Sequence, residues 1–334
     1  MATKKRKKIL VTGAAGFIGS HLVDALVRRG EPVCCFVRKQ DSLEFIPHKK
    51  TEIIIGDITN KKSLLPAVRG VETIYHLAAK TDFDGRTWEE YYRPNVLGTR
   101  NLIDLAIKEK VKRFVFFSTI RTIGLKDSKI PIDETAPYYP LNFYDRSKVE
   151  AEKLLIKAYQ EKKLPIVIIR PSSVYGPRGR GTYYSFFKAI AEGRFFIIGN
   201  GKNLVSFVYV GNVVNATLLA GESKKAIGQI YFINDERPYT MEELSKTIAS
   251  SFGRKLSSFH LPTSLAYLAG YGLGFLGKTL GFQSPLNPER VKNLTISYVF
   301  DIRKAKKELG YSPKISLKEG VEQTAQWYQK HGWL

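Results

Sequence analysis

Short apolar runs alternate with stretches of helical periodicity along the first half of the chain. Residues 7–13, K-K-I-L-V-T-G, form the first run and read as a buried strand that ends at a glycine. Residues 20–30 follow with apolar positions three and four apart, as on one face of a helix. The same pattern predicts further strands at residues 32–38, 51–57, 72–79, 113–119 and 165–171. Alternating strands and helices predict an α/β fold built on a doubly wound parallel sheet.

A glycine-rich turn joins the first strand to its helix. Gly13, Gly16 and Gly19 lie three residues apart in this turn. Gly13 suits the tight turn, Gly16 leaves room for a pyrophosphate near the backbone, and Gly19 lets the helix pack closely on the strand. The helix begins with Phe17 and Ile18, and its N-terminal N–H groups attract phosphate. Together these features predict a dinucleotide site in a Rossmann sheet.

The second half of the chain predicts a smaller C-terminal α/β lobe. Residues 207–210 and 230–234 are typical of short strands, and a helix follows Thr240, whose side chain suits a helix N-cap. We expect residues 1–170 to form the NAD(P)-binding Rossmann domain. Residues 171–334 are expected to form mainly a substrate-binding lobe, with one strand crossing back to join the first sheet.

The ends of the second and third strands bear on the choice of cofactor. The second strand ends at Arg38 and Lys39, where NAD(H) enzymes place an acidic residue against the ribose hydroxyls. An arginine suits the 2′-phosphate of NADP(H), so we predict NADP(H), with NAD(H) as the alternative. Asp57 ends the third strand, next to Ile58, and is predicted to accept a hydrogen bond from the adenine amino group.

Residues at three further strand ends complete the predicted cofactor and substrate site. The fourth strand ends in Leu77, Ala78 and Ala79, where the small residues let a cofactor lie against the strand end. Pro171 ends the sixth strand and Thr119 the fifth. Ligands of open α/β sheets bind at the carboxyl ends of the strands, so both residues are expected to face the site.

Candidate chemistry lies in Y-D-R-S-K, residues 144–148, where Tyr144 and Lys148 are one helical turn apart. The spacing alone says little, because the chain has 18 tyrosines and 53 lysines and arginines. The motifs around it occur in a specific order: T-G-x-x-G-x-x-G at 12–19, G-D at 56–57, H-L-A-A at 76–79, S-T at 118–119, R-P-S-S-V-Y-G-P at 170–177 and V-S-F-V-Y-V-G-N-V at 205–213. This ordered set resembles the extended short-chain dehydrogenase/reductases over essentially the whole chain.

The resemblance implies a catalytic trio of Thr119, Tyr144 and Lys148, with Tyr144 and Lys148 also contacting the cofactor. A tyrosine with a pKa near ~10 is a poor base at neutral pH, and the positive charge of Lys148 favours the phenolate. The Thr119 hydroxyl can bind the substrate oxygen and orient it for proton exchange with Tyr144. Hydride transfer itself is the chemistry of the nicotinamide. Asn95 resembles a family asparagine that supports the site. The alternative, that it is only a polar residue after Pro94 near a helix start, stays open.

Two branches of the family compete for the substrate. Nucleotide-sugar epimerases and dehydratases commonly carry an Asn after the sixth strand and an Arg-Asp pair before F-V-Y-V. Here Pro171 is followed by Ser172, and Val205 and Ser206 take the places of the pair. Losing a bidentate phosphate clamp disfavours a diphosphate ligand. The segment from 203 to 216 resembles instead the 3β-hydroxysteroid and sterol-4-carboxylate dehydrogenase branch, to which dihydroflavonol-reductase-like enzymes are close.

We therefore expect an NAD(P)-dependent oxidoreductase that acts on a secondary alcohol or ketone of a hydrophobic, steroid-, lipid- or flavonoid-like molecule. The first alternative is a nucleotide-sugar epimerase or dehydratase with tightly bound NAD. Arg121, Arg178 and Arg180 keep it open, because each could bind a phosphate. The second alternative is a nucleotide-binding scaffold without activity, which the intact trio disfavours.

The net charge of +22 favours anionic partners such as phosphorylated cofactors or acidic membranes. The basic run Lys4–Lys8 suits contact with anionic lipid or nucleic acid, or a solvated tail in front of the first strand. The apolar residues 263–277 are too few for a spanning helix, so they predict an interfacial helix or a core-facing one. We expect a cytoplasmic protein with peripheral membrane contact as an option, no nucleic-acid partner, and a homodimer by analogy with the family.

Cysteine and histidine usage argues against a metal centre. Cys34 and Cys35 are adjacent in a predicted strand and should point to opposite faces of the sheet, which makes them poor disulfide partners. They are expected to fill the core in a reducing compartment. The chain has neither a C-x-x-C pair nor a cluster of histidines, so we expect no metal.

Overall fold

The structure is a computed structural model and describes residues 8–81, 85, 87–280 and 286–334. The described strands are β1 Lys8–Thr12, β2 Val33–Val37, β3 Thr51–Ile55, β4 Val71–His76, β5 Arg113–Phe117, β6 Ser128–Ile132, β7 Ile166–Pro171, β8 Ser173–Tyr175, β9 Ile197–Ile198, β10 Leu204–Val205, β11 Phe207–Tyr209, β12 Ile230–Ile233, β13 Tyr239–Thr240, β14 His260–Leu261 and β15 Tyr298–Phe300. The predicted strand at 207–210 is one residue shorter, because Val210 already begins a helix.

The α-helices alternate with these strands, and shorter 3-10 turns join several of them. The described helices are α1 Phe17–Arg28, α2 Lys61–Val68, α3 Trp88–Tyr91, α4 Gly98–Lys108, α5 Phe143–Lys162, α6 Thr182–Ala191, α7 Val210–Glu222, α8 Met241–Ser251, α9 Thr263–Leu280, α10 Pro288–Thr295, α11 Arg303–Leu309 and α12 Leu317–Lys330. Thr240 caps α8 as expected, since its side chain accepts a hydrogen bond from the Glu243 N–H. A π-helical segment, Tyr92–Leu97, joins α3 to α4.

The central sheet contains seven parallel strands in the order β12-β7-β5-β4-β1-β2-β3. The order reverses between β1 and β4, which opens a crevice at the carboxyl ends of these strands, where doubly wound sheets bind ligands. The predicted doubly wound Rossmann sheet is therefore confirmed.

Apolar side chains cover both faces of the central sheet. Cys34 and Cys35 are free and fully buried, and they belong to different clusters on the two faces, as the alternation of side chains along β2 requires. Parallel strands buried on both faces read as continuous apolar runs. This burial explains why the strand pattern in the sequence was so clear.

A second sheet of four strands, β13-β10-β15-β6, lies in the C-terminal part of the fold. Chain segments cross between the two sheets: β12 pairs with β7 in the central sheet, and β6 pairs with β15 in the second. The division of the chain at residue 170 stays a prediction. In the part of the chain that is described, no helix is long and apolar enough to cross a membrane.

Candidate active site

The glycine turn after β1 has the geometry that a dinucleotide site needs. Gly13 has a φ of +70°, and a Cβ there would come within 2.7 Å of the Ala78 backbone nitrogen. A Cβ on Gly19 would overlap the Gly13 carbonyl, which keeps α1 close to β1. The Gly16 N–H donates to the Gly13 carbonyl at 3.0 Å. Side chains other than hydrogen are thus excluded at Gly13 and Gly19.

The N-terminus of α1 fits a pyrophosphate. Gly16 is the N-cap and supplies no side-chain hydrogen bond to the first turn. The first N–H groups of a helix have no intrahelical acceptor. In α1 these include the N–H groups of Phe17 and Ile18, which are therefore suited to bind phosphate oxygens. The residues present therefore fit an NAD(P) cofactor at this turn.

Arg38 lies at the end of β2, where the adenosine ribose of such a cofactor is expected. Its side chain donates two hydrogen bonds to Oδ1 of Asp41, at 2.8 and 3.0 Å. Asp41 Oδ2 also accepts from the Arg38 backbone N–H at 2.9 Å. The guanidinium is two-thirds exposed, so it remains accessible to a ligand, but Asp41 competes with a phosphate for it.

Asp57, after β3, is exposed and already accepts two hydrogen bonds. Its Oδ1 accepts from the N–H and from the hydroxyl of Thr59, both at 2.8 Å. These bonds orient the carboxylate at the sheet edge where the adenine is expected. Ile58 is buried, and the side chain of Asn101 donates to its carbonyl at 3.2 Å, which pins the loop to α4.

A buried hydrogen-bond chain fixes the end of β4. His76 Nδ1 lies 2.7 Å from Thr12 Oγ1, and His76 Nε2 lies 2.9 Å from Thr99 Oγ1. The Thr99 hydroxyl donates its hydrogen to the Asn95 carbonyl at 2.6 Å, so it can only accept from His76. His76 therefore donates from Nε2 and accepts at Nδ1. Burial lowers the pKa of His76 to about 3, so the ring is neutral.

This chain reaches the predicted cofactor contacts, because the Ala78 N–H donates to Thr12 Oγ1 at 3.3 Å. Leu77 N–H donates to the Thr12 carbonyl at 3.1 Å. Leu77, Ala78 and Ala79 are partly buried and follow directly on β4, beneath the glycine turn. Sequence reasoning identified the motif H-L-A-A but not the hydrogen bonds of His76.

Thr119 and Tyr144 meet at the carboxyl end of β5. Thr119 follows this strand and begins a 3-10 turn, and its Oγ1 accepts from the Arg121 N–H at 3.2 Å. Tyr144 lies in the first turn of α5, which Asn142 caps by accepting from the Asp145 N–H at 2.8 Å. The Thr119 hydroxyl is close enough to the Tyr144 side chain to influence the pKa of the phenol.

The pKa of Tyr144 differs from the expectation that the positive charge of Lys148 would favour the phenolate. Burial raises the pKa of Tyr144 above its usual value, and the neighbouring Asp145 acts in the same direction. The Arg121 guanidinium and the Thr119 hydroxyl oppose this rise. Arg121 is itself paired with Asp145, at 2.8 Å between Nε and Oδ1.

Lys148 lies one turn after Tyr144 and is fully enclosed. Its Nζ donates to the Phe117 carbonyl and lies 4.1 Å from the centre of the Phe116 ring. Burial lowers the pKa of Lys148 to about 7, and Glu152 partly opposes this shift. The ammonium group is thus held under the end of β5, at the strand that leads to Thr119.

Asn95, whose role the sequence left undecided, bonds both to the chain after β4 and to the helix that carries Tyr144. It is buried in the π-helical segment, and its Nδ2 donates to Ser147 Oγ at 2.8 Å and to the Lys80 carbonyl at 3.0 Å. Its Oδ1 accepts from the Lys80 N–H at 2.7 Å. Ser147 in turn donates to the Tyr144 carbonyl at 2.7 Å. A π-helical segment marks functional sites in many proteins.

Two buried hydroxyls lie at neighbouring strand ends. Ser118 follows β5 and Ser172 follows β7 and Pro171, and neither Oγ has a hydrogen-bond partner among the described residues. Buried hydroxyls without partners are rare in proteins and mark places where a ligand or water completes the bonding. Both flank the strand ends where the nicotinamide half of a cofactor is expected, and neither was singled out from sequence.

The three arginines considered as phosphate ligands are engaged within the protein. Arg178 pairs with Asp24 at 2.8 Å, and Arg180 lies over the Trp333 ring at 4.6 Å. Arg121 contacts Asp145 and lies 3.6 Å from Glu289 of α10. A cavity of about 170 Å³ adjoins Arg121, and the residues that line it are Arg121, Leu125, Leu141, Asn142, Glu289, Lys292 and Asn293.

The profile of the NAD dependent epimerase/dehydratase family matches residues 9–233. The chain belongs to this family. The match begins in β1 and ends with β12, so it covers the glycine turn and all the residues of the site. The chain is thus an enzyme of the extended short-chain dehydrogenase/reductase superfamily, and the predicted family is confirmed.

Similar proteins include both a hydroxysteroid dehydrogenase and sugar 4-epimerases. A 3-beta-hydroxysteroid dehydrogenase of Mycolicibacterium neoaurum is 32% identical, over 96% of this chain and 91% of that protein. An N-acetyl-alpha-D-glucosaminyl-diphospho-ditrans,octacis-undecaprenol 4-epimerase of Escherichia coli O157:H7 is also 32% identical, over 97% and 96%. The crystal structure of a UDP-glucuronic acid 4-epimerase from Bacillus cereus with NAD superposes with a TM-score of 0.78, at 26% identity, over 97% and 99%.

These similarities support NAD-dependent chemistry on a small molecule at the level of the family. Among the described residues, no group of three or more His, Cys, Asp or Glu side chains could hold a metal ion.

Proposed function

We propose that this enzyme is an NAD(P)-dependent oxidoreductase for a secondary alcohol or ketone on a hydrophobic, steroid- or lipid-like molecule. The observation that carries the proposal is the position of Tyr144 and of the buried Lys148 beside the end of β5, where Thr119 follows the strand. When bound, the cofactor supplies the hydride chemistry. Thr119 binds the substrate oxygen, Tyr144 exchanges a proton with that oxygen, and Lys148 holds the nicotinamide ribose.

The residues that replace the diphosphate clamp of nucleotide-sugar enzymes favour a hydrophobic substrate. Val205 and Ser206 are 1% and 2% exposed, so neither reaches a ligand in an open cleft. Ser206 Oγ instead accepts from the Phe300 N–H at 3.1 Å inside the second sheet. Asn212, further along the same segment, is equally buried, and its Nδ2 donates to the Asp235 carboxylate at 2.8 Å. These positions stabilise the C-terminal lobe and offer no charge to a diphosphate.

An epimerase is the second candidate, and the similarity to the undecaprenol-linked 4-epimerase favours it. Arg121 and Lys292 line the cavity at Arg121 and could bind an anionic group. An epimerase removes a hydride and returns it in one turnover, so it produces no net change in the cofactor. Both candidates use Thr119 and Tyr144 for the proton.

Net cofactor turnover separates the two candidates. Purified enzyme is incubated with NAD⁺ or NADP⁺ and a panel of 3-hydroxysteroids, lipid alcohols, UDP-sugars and polyprenyl-diphospho-sugars, and absorbance of the reduced cofactor is followed. The proposal expects stoichiometric reduction with a hydrophobic alcohol. Sugar isomerisation without accumulation of reduced cofactor would show that the enzyme is an epimerase.

NADP(H) is the preferred cofactor in our proposal. A homodimer and contact with an acidic membrane also stay predictions.

A further inference from the structure

Helix α9 presents large apolar side chains to solvent. They are spaced three or four residues apart and so lie on one face of the helix. This apolar stripe consists of Leu265 (52% exposed), Leu268 (70%), Tyr271 (66%) and Phe275 (68%). The sequence from 256 to 277 contains no Lys, Arg, Asp or Glu. An exposed helix face without charge marks an interaction surface more often than an accident of packing.

The opposite face of α9 is well packed, so the exposure of the stripe is fixed by the fold. Ala266 is fully buried and clusters with Val291 of α10 and Ile198 of β9. A Cβ on Gly270 would come within 3.2 Å of the Asn287 backbone, so α9 and the start of α10 pack closely here. The core-facing interpretation of this segment thus holds for one face only.

An aromatic pair adds to the exposed apolar surface near α9. Phe196 and Phe259 precede the paired strands β9 and β14, and their ring centres lie 5.8 Å apart. Both side chains are exposed, at 43% and 55%. Helix α9 begins two residues after β14, so Phe259 and the stripe lie on consecutive segments of the chain, and the pairing of β14 with β9 brings Phe196 beside them.

Cations surround these apolar residues in the sequence. Between residues 254 and 292 there are five lysines and arginines and one acid, Glu289. Arg254 and Lys255 are exposed just before the aromatic pair, and Arg254 Nη1 reaches the turn at Gly193. Apolar side chains bordered by cations are the pattern of a helix that lies in the interface of an anionic bilayer.

We propose that the apolar stripe and the Phe196–Phe259 pair dock on an anionic lipid bilayer, with α9 lying in the plane of the interface. The apolar side chains enter the boundary between headgroups and acyl chains, and Arg254 and Lys255 contact lipid phosphates.

The fold gives this surface a position next to the candidate site. Helix α9 packs on α10, whose residues Glu289, Lys292 and Asn293 line the cavity at Arg121. This position suits an enzyme whose substrate resides in lipid, a consequence that rests on the proposed function.

Vesicle sedimentation tests the docking surface. Full-length enzyme is mixed with phosphatidylcholine vesicles, with or without phosphatidylglycerol, and the pelleted fraction is measured without substrate. Binding to the anionic vesicles and weak binding to the neutral ones are expected. The double variant Leu268→Glu/Tyr271→Glu should lower the partition coefficient at least about tenfold, since two large apolar side chains no longer enter the bilayer. Ile130→Glu is the matched control, because Ile130 is an equally exposed residue (77%) on β6.

Three results would overturn the proposal. They are no binding to anionic vesicles, equal loss of binding in the Ile130→Glu control, and undiminished binding by the double variant. Size-exclusion chromatography of the same proteins tests a second copy of the chain as the occupant. A shift from dimer to monomer in the double variant alone, with vesicle binding intact, would assign the stripe to a dimer interface. Because no turnover is measured, these outcomes are independent of the proposed function.

Discussion

Asn95 Nδ2 donates a hydrogen bond to Ser147 Oγ at 2.8 Å, and this bond joins the π-helical segment to the helix that carries Tyr144 and Lys148. The same amide holds the backbone of Lys80, just beyond β4. One buried side chain therefore sets the distance between the candidate cofactor site and the candidate proton donor.

Replacing Asn95 by alanine should impair both stability and catalysis. The change leaves buried partners without hydrogen bonds, which costs about 1–3 kcal/mol of unfolding free energy. Displacement of α5 by a fraction of an ångström should lower kcat by about tenfold or more. Urea unfolding and steady-state kinetics measure the two effects.

The control for this prediction is Asn203→Ala, because Asn203 is another buried asparagine whose Nδ2 donates to a backbone carbonyl, that of Ile296, at 3.1 Å. It should lose stability while kcat of the folded enzyme stays near the wild-type value. Equal kcat losses in both variants would assign Asn95 a structural role only.

Thr119→Val should lower kcat by about 10²-fold, since it removes the hydroxyl that orients the substrate oxygen while keeping the side-chain shape. Thr119→Ser keeps the hydroxyl and should retain most of the activity. Thr217→Val is the matched control, because the Thr217 hydroxyl donates to the Val213 carbonyl within α7. A valine variant at position 119 as active as this control would remove Thr119 from the mechanism.

The buried Lys148 predicts a pH dependence of stability. Its pKa is about 7 in the folded chain and 10.5 in the unfolded reference. Between these values the unfolded state binds more protons, so the contribution of this group to stability rises with pH across that window. The unfolding free energy of wild type minus that of Lys148→Met should increase by roughly 1 kcal/mol per pH unit from pH 7.5 to about 9. Chemical unfolding at several pH values tests this, and a constant difference would contradict the burial of a titrating amine.

Arg38 and Asp41 together predict the cofactor preference. Arg38→Ser should weaken NADPH binding at least about tenfold, through loss of a charge-assisted contact with the 2′-phosphate, and leave NADH binding nearly unchanged. Asp41→Asn removes the competing carboxylate and should strengthen NADPH binding. Fluorescence titration with both reduced cofactors measures this. If Arg38→Ser weakens both cofactors equally, the preference for NADP(H) is wrong.

The sequence predicted the strands whose side chains are buried on both faces of the sheet, because such burial produces a continuous apolar run. Residues 7–13 read as a strand because Leu10 and Val11 are apolar on both faces of the sheet, and the structure places β1 at Lys8–Thr12. The glycine spacing predicted the turn for a similar reason, since Gly13 and Gly19 each meet a backbone atom that excludes a side chain.

Features set by distant pairings escaped sequence reasoning. The pairing of β6 with β15 joins residues about 170 positions apart, and no local pattern encodes it. The π-helical segment lies between α3 and α4, and its contacts are tertiary, since Asn95 bonds to Lys80 and Ser147. The direction in which Lys148 points, toward the Phe117 carbonyl, likewise depends on a strand that is distant in sequence.

The central claim is that the Tyr144 hydroxyl exchanges the proton with the substrate oxygen beside a cofactor bound at the Gly13 turn. The most direct measurement is kcat of Tyr144→Phe with the best substrate from the panel, together with its dissociation constant for the reduced cofactor. The account predicts that kcat falls by at least about 10²-fold while the cofactor still binds within a few-fold of wild type. A Tyr144→Phe enzyme that turns over at a near-wild-type rate would contradict it.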